Sequence, residues 1–265
     1  MIDDLLLRNR GTIAAITGGT QGLGLAIAKR LAIEGARGIT ISGRNDDKGE
    51  KAAASIRSLG TDCLFVKADV SIADDCYRLL ATALEHFGSV NGLVNSAATS
   101  DRGTLLDTSL ELWDRHFNTN ARGPFLMMQG VVRHLIETGK PGSIVNILSM
   151  AAYCGQSYLT AYSASKGALA TLTKNVANAN AAKRIRCNGI LVGWMDTPGE
   201  SVTQQSFHGV SEDWLAKAER AQPMGQLVKP DQVAGLAAYM LSSESGVMTG
   251  ALVDYDQNVV GAYPE

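Results

Sequence analysis

The chain has 265 residues, 45% hydrophobic and 19% charged, with 24 basic against 26 acidic side chains and a formal charge of −2. That composition describes a soluble globular protein with a sizeable core and excludes a partner recognised through a basic stripe, nucleic acid above all. No apolar run reaches the ~18 residues that cross a bilayer, so no membrane partner is expected. The first residues lack the basic-then-apolar order of a secretory signal. Cys63, Cys76, Cys154 and Cys187 form no CxxC pair and the four histidines are dispersed. The expectation is therefore free thiols in a reducing cytoplasm and no metal site, with Cys154 serving packing.

In chain order, residues 12–17 form a short apolar run, a buried-strand candidate that leads into Gly18-Gly-Thr-Gln-Gly22-Leu-Gly24. Residues 25–34 then carry helical periodicity, ended by Gly35. A glycine turn between strand and helix lets backbone approach a pyrophosphate at a helix N-terminus. Residues 38–42 read as a second strand, followed by Arg44. Dinucleotide folds that prefer NAD place an acidic residue about 20 positions past the glycines, on the ribose 2′-hydroxyl. Arginine at that place suits a 2′-phosphate, which points to NADP with NAD as the alternative; the competing reading is a solvated loop charge. Asp46 and Asp47 suit the first turn of the next helix.

Residues 63–67 read as a third strand, with Asp69 just beyond it. Ser71 is expected to cap the following helix, with Asp74 at capping-box spacing. Residues 90–94 are a fourth strand candidate leading to Asn95 and Ala97, where small residues leave room for a flat ring. Residues 109–138 are helical in pattern, with an interruption expected at Gly123-Pro124. Asn118 and Asn120 sit in the middle of it, where short amides compete for backbone bonds; one of them is expected to hold backbone or water.

Residues 143–149 read as a buried strand ending in Ser149. Tyr162 and Lys166 follow, four apart and so on one helix face. A strand end against a helix start brings a hydroxyl, a phenol and a cation together, the parts for moving a proton to or from an oxygen. A free phenol titrates near ~10, and a cation close by lowers an acidic pKa by roughly 1–3 units. Residues 186–192 are the sixth strand and 251–255 the last, with a helix at 231–241 between them. Residues 200–222 are polar and break the rhythm; with Trp214 as anchor they read as a flap, about 199–224, over a site.

Strands alternating with helices throughout predict one α/β domain, residues 1–265, with a doubly wound parallel sheet. The glycine turn, Arg44, Asp69, Asn95, Ser149 and residues 195–197 all follow strands, the rim where such sheets bind ligands.

The Thr17-Gly18-x-x-x-Gly22-x-Gly24 and Tyr162-x-x-x-Lys166 motifs, with Ser149 thirteen before the tyrosine, resemble those of the short-chain dehydrogenase/reductase family over nearly the whole chain. The resemblance implies a Rossmann-like oxidoreductase that exchanges hydride between a nicotinamide cofactor and a secondary alcohol or ketone. It implies Tyr162 as general acid/base, Lys166 lowering the tyrosine pKa and holding the nicotinamide ribose, and Ser149 polarising the substrate oxygen. Asn120 is implied as the fourth catalytic residue, holding a water in a relay to Lys166. Cofactor contacts are implied at Gly18, Thr20, Gln21, Gly22, Leu23, Gly24, Arg44, Asp69, Val70, Asn95, Ala97, Tyr162, Lys166, Met195 and Thr197. A homo-oligomer, tetramer or dimer, is implied as well; Ala164, Ala168, Ala170 and Ala177 would allow close helix approach, between subunits or inside one. Three stretches depart from the family pattern: Asn95-Ser-Ala-Ala98, Val192-Gly193 and Asp256-Gln-Asn258, the last opening a tail that ends at Glu265. Gln21 replaces the basic residue common in strong NADP users. The polar flap, with Gln204, Gln205, Ser206 and His208, favours a sugar, polyol or hydroxy acid. The rivals are a reductase of a hydrophobic ketone or 3-oxoacyl substrate, a nucleotide-binding regulator without turnover, and an epimerase or dehydratase of the extended branch.

Overall fold

The computed structural model describes residues 7–209 and 213–262. Seven strands run through these residues: β1 (Ile13–Thr17), β2 (Gly38–Gly43), β3 (Asp62–Lys67), β4 (Gly92–Asn95), β5 (Gly142–Ser149), β6 (Ile185–Val192) and β7 (Leu252–Tyr255). The helices between them are α1 (Gly22–Ile33), α2 (Asp46–Arg57), α3 (Ala73–Phe87), α4 (Leu110–Phe117), α5 (Gly123–Thr138), α6 (Thr160–Asn180), α7 (Pro198–His208), α8 (Trp214–Arg220) and α9 (Pro230–Leu241). The strands pair in parallel in the order β3-β2-β1-β4-β5-β6-β7. This is the expected doubly wound, Rossmann-like sheet. Its order reverses between β1 and β4, and a crevice opens there at the carboxyl ends of the strands.

Burial on both faces explains why the strands read as continuous apolar runs. Every residue of β1 and β4 is buried. On one face Ile16, Ile39 and Ile41 pack with Ile27 and Leu31 of α1, Ile56 of α2 and Val233 and Ala237 of α9. On the other, Leu93, Ile144 and Leu191 pack with Leu79 of α3, Met127 and Val131 of α5 and Leu169 of α6. The segment before β1 is clamped at Glu34, which is 3% exposed. Glu34 accepts from Arg8 at 2.7 Å, Asn9 at 2.7 Å and Arg30 at 2.5 Å, and Asn9 also donates to the Ala238 carbonyl of α9. Burial alone would raise the Glu34 carboxyl; the bonds from Arg8, Arg30 and Asn9 outweigh it and hold the pKa below the ordinary value.

Several boundaries differ from the sequence reading. The first helix begins at Gly22, inside the glycine motif, because the turn and the helix are one packing unit: a Cβ on Gly24 would lie 2.3 Å from the Gly18 carbonyl oxygen. The Ser71 capping box does not form. Instead Asp69 accepts from the Ser71 amide and hydroxyl, and Asp75 accepts from the Asp69 amide; this local turn competes with the cap. The break in residues 109–138 comes ahead of Gly123-Pro124, as a π-helical turn at Asn118–Arg122, and Pro124 sits in the first turn of α5. The segment read as a polar flap that breaks the strand–helix rhythm holds α7 and α8, with Trp214 buried against Ala218 and Leu227; residues 210–212 of that flap lie outside the described residues, as do residues 263–265 of the tail. Cys154 is exposed rather than packed, while Cys63, Cys76 and Cys187 are buried free thiols.

Candidate active site

A cavity of about 1540 Å³ opens at the carboxyl rim of the sheet, large enough for a dinucleotide and a small substrate side by side. Its walls include Gly18, Thr20, Gln21, Gly22, Leu23, Gly24, Arg44, Asp69, Val70 and Ala97 on one side, and Ser149, Tyr162, Lys166, Met195 and Thr197 on the other. Ser149 ends β5 and Tyr162 stands in the first turn of α6, so the two elements bring both side chains to one floor.

The dinucleotide side has the features that pyrophosphate binding needs. Gly18 has φ +68°, and a Cβ there would lie 2.8 Å from the Ala97 Cα, so only glycine lets the β1 and β4 turns meet. α1 starts at the cavity with Gln21 at its N-cap and no side chain capping it, which leaves backbone N–H groups for a phosphate. Arg44 lies exposed on the rim just past β2. Asp46 is engaged by Lys67 at 2.5 Å and Lys48 reaches Gln21 at 3.4 Å. Asn45 caps α2 by accepting from the Lys48 amide, and Asp46 and Asp47 fill its first turn as expected.

Two expected site residues stay out of the cavity. Asn95 is buried in the sheet, where it donates to Asn146 at 2.8 Å, and Asn146 in turn donates to Thr173 at 2.8 Å. Residues 96–98 line the cavity there instead. Asn120, fully buried in the π-helical turn, accepts from the Thr99 amide at 2.9 Å and donates to the Thr99 carbonyl at 2.9 Å and to Ser165 Oγ at 3.0 Å. Ser165 Oγ donates to the Tyr162 carbonyl, so Asn120 ties the loop after β4 to the helix that carries Tyr162.

The phenol and ammonium expected to handle protons are enclosed. Lys166 is 2% exposed and donates to the Ile147 carbonyl at 2.8 Å; burial lowers its pKa to about 8. Its ammonium lies 5.8 Å from the Tyr162 ring centre. The expected depression of the tyrosine does not appear. Burial pushes the phenol above its ordinary value, a hydrogen bond with Ser149 pulls it back, Glu200 raises it and Arg102 lowers it. Lys166 is not among the groups that set this shift, and its ammonium donates to a carbonyl of β5. Behind Tyr162, His116 is fully buried with its ring 6.3 Å away, edge to face. His116 Nδ1 donates to the Leu112 carbonyl at 2.8 Å and Nε2 finds no partner among the described residues. No pattern in the sequence marks His116, because α4 is too short for its inner face to be read.

The substrate side carries residues that no motif marks. Gly103 and Leu159 form an isolated parallel bridge, through bonds from Gly103 N to Tyr158 O at 2.9 Å and from Thr160 N to Gly103 O at 3.2 Å. That bridge sets Arg102 beside Tyr158, with the guanidinium 5.5 Å from the ring centre. From α7, Glu200, Gln204 and His208 face the same space.

The family model described as enoyl-(acyl carrier protein) reductase matches residues 18–257. An NADP-dependent (R)-specific alcohol dehydrogenase of Lentilactobacillus kefiri is 35% identical over 247 residues, 92% of this chain and 94% of that protein. An L-rhamnose 1-dehydrogenase (NAD(P)(+)) of Azotobacter vinelandii is 34% identical, covering 90% of this chain and 93% of its own. The crystal structure of a variant of the actinorhodin polyketide ketoreductase with NADPH superposes with a TM-score of 0.88 at 29% identity, over 95% of this chain and 98% of that one. With motifs, sheet order and sequence agreeing along nearly its whole length, this chain belongs to the short-chain dehydrogenase/reductase family.

Proposed function

We propose that the chain is an NADP-linked oxidoreductase that interconverts a polar secondary alcohol and its ketone, with NAD as the second cofactor. The observation that carries this is the convergence of Ser149, Tyr162 and Lys166 on one cavity with an uncapped helix start, a glycine turn and Arg44. The residues present fit a nicotinamide dinucleotide. Gly18, Gly22 and Gly24 would admit the pyrophosphate to the start of α1, Arg44 would take the 2′-phosphate, and Met195 and Thr197 would face the carboxamide. When bound, the nicotinamide accepts or supplies the hydride.

Tyr162 supplies the proton. Its phenol, held above the ordinary value by burial, is protonated near neutrality, the form that donates to the oxygen of a ketone as it gains charge. The Ser149 hydroxyl, which faces the same cavity and lowers that phenol's pKa, orients the same substrate oxygen. In the reverse direction the phenol must give up its proton, and positive charge beside it favours that step. Lys166, titrating at about 8, is the nearby group that carries such charge below that pH. Asn120 holds both Thr99 and the start of α6, and so fixes Tyr162 against the cavity; its bonds support this positioning role, and the relay toward Lys166 is carried by the family resemblance alone.

α7 and α8 act as a cover for the substrate end. Their polar inner residues favour a sugar, polyol or hydroxy acid. Trp194 in the cavity wall, with Phe207 on α7 and Met224 after α8 also exposed, favours a second reading, a hydrophobic ketone. We also place the protein in the cytoplasm as a homo-oligomer. Leu110, Trp113, Phe125 and Ile136 leave apolar surface exposed along α4 and α5, whereas Ala177 is buried in the monomer's own core. Light scattering reads the oligomeric state. The activity is tested with a panel of alcohols, sugars and hydroxy acids and both cofactors, followed at the absorbance of the reduced nicotinamide. Turnover of polar secondary alcohols supports the proposal, and cofactor binding with no turnover of any of them contradicts it in favour of a regulator.

A further inference from the structure

Beyond Lys166, Arg102 and Glu200 are charged side chains enclosed at the substrate end, 15% and 18% exposed. Each is held in place. Arg102 Nη1 donates to the Ser100 carbonyl at 2.8 Å and Nε to His208 Nε2 at 3.4 Å, with the guanidinium against Tyr158. Its own segment is pinned from two sides, by Asn120 on Thr99 and by the Gly103–Leu159 bridge three residues before Tyr162. Glu200 lies in the first turn of α7, where Thr197 Oγ1 accepts from its amide at 3.1 Å. Glu200 Oε1 accepts from Trp194 Nε1 at 2.8 Å and from Gln204 Nε2 at 2.7 Å.

The two charges form an ion pair without a hydrogen bond. Arg102 Nη2 and Glu200 Oε1 are 4.0 Å apart, beyond hydrogen-bond range. Nη2 keeps its N–H donors, and Glu200 Oε2 has no donor on it among the described residues. The cavity therefore presents an unspent donor beside an unspent acceptor, both next to Tyr162. A hydroxyl satisfies both at once, because it accepts and donates. A carboxylate satisfies only the arginine and meets the charge of Glu200; an alkyl group satisfies neither and leaves both groups desolvated.

We propose that Arg102 and Glu200 bind a second hydroxyl of the substrate, beside the one that reacts, so that the site selects vicinal diols, polyols and sugars over mono-alcohols and hydroxy acids. This rests on the oxidoreductase reading above and narrows it to a neutral polyhydroxylated substrate. The position of both charges around the phenol agrees: each acts on Tyr162 itself.

Butan-2-ol, butane-2,3-diol and 2-hydroxybutyrate share four carbons and differ at the carbon beside the reacting one, which is alkyl, hydroxylated or a carboxylate. Steady-state rates with each, for wild type, Arg102→Met, Arg102→Lys and Glu200→Gln, test the assignment. The wild type is expected to favour the diol over butan-2-ol by ~10-fold or more in kcat/KM, the scale of one charge-assisted hydrogen bond. In Arg102→Met and Glu200→Gln that ratio collapses toward one, and Arg102→Lys restores part of it. A ratio that stays at the wild-type value in both variants overturns the proposal. So does a wild type that prefers 2-hydroxybutyrate and loses that preference in Arg102→Met, which would make Arg102 a carboxylate anchor. If the wild type binds cofactor yet oxidises no alcohol in the wider panel, the oxidoreductase reading itself fails, and the inference with it.

Discussion

Arg44→Asp separates the two cofactors. Arg44 stands exposed on the cavity rim just past β2, so its bonds to a 2′-phosphate are strong in kind but diluted by solvent, about 1.5–3 kcal/mol together. An aspartate adds repulsion. At roughly 6 Å and an effective dielectric near 60, each unit of phosphate charge costs about 1 kcal/mol, and the phosphate carries close to two. NADP affinity should therefore fall by about 3–5 kcal/mol, some 10²–10³-fold or more. NAD affinity should hold or improve, since a carboxylate at this place can accept from the ribose 2′-hydroxyl. Titration calorimetry with NADP and NAD reads both constants, and thermal shift reads their stabilisation. Equal losses for the two cofactors would contradict a 2′-phosphate role for Arg44 and point to damage at the α1–α2 edge. An unchanged NADP constant would leave Arg44 a solvated loop charge.

Gly24→Ala tests the turn. The new methyl meets the Gly18 carbonyl at 2.3 Å, a backbone neighbour that cannot swing away, so both cofactors should bind at least ~10-fold more weakly by calorimetry, in contrast to Arg44→Asp. Lys166→Met removes a buried ammonium whose pKa lies at about 8, below the ordinary 10.5. The unfolded chain binds more protons between those values, so wild-type stability should rise from pH 8 to 10.5 relative to the variant, by chemical denaturation. Parallel pH curves for the two proteins would contradict the burial of that charge. Glu34→Gln should cost about 2 kcal/mol near neutrality, because Arg8 and Asn9 lose a charged acceptor in a closed setting. The carboxyl's pKa is depressed, so that difference is present above pH 4.5 and should shrink as the pH falls below it. A gap that does not narrow in acid would contradict the assignment.

The sheet was legible because its central strands are buried on both faces and leave short, mostly apolar runs such as residues 13–17 and 189–192. The chemistry was legible where spacing alone fixes geometry: Tyr162 and Lys166 share a helix face, and strand ends share a rim. Reading failed where a side chain's partner lies far along the chain. Nothing local says that Asn95 turns into the sheet toward Asn146, 51 residues on, or that the Lys166 ammonium donates to the Ile147 carbonyl. Ser71 looked like a cap because residue type and spacing fit, but Asp69 took its hydroxyl first. The Arg102–Glu200 pair was hidden for the same reason, as the Gly103–Leu159 bridge joins segments with no mutual signature.

Tyr162→Phe is the most direct measurement. It removes one oxygen from the cavity floor and nothing else. Proton transfer by the phenol predicts turnover reduced by several orders of magnitude, on the scale of ~10²–10⁴ or more for a general acid, with NADP binding by calorimetry kept within a few-fold of wild type. A variant that retains the wild-type kcat would contradict it.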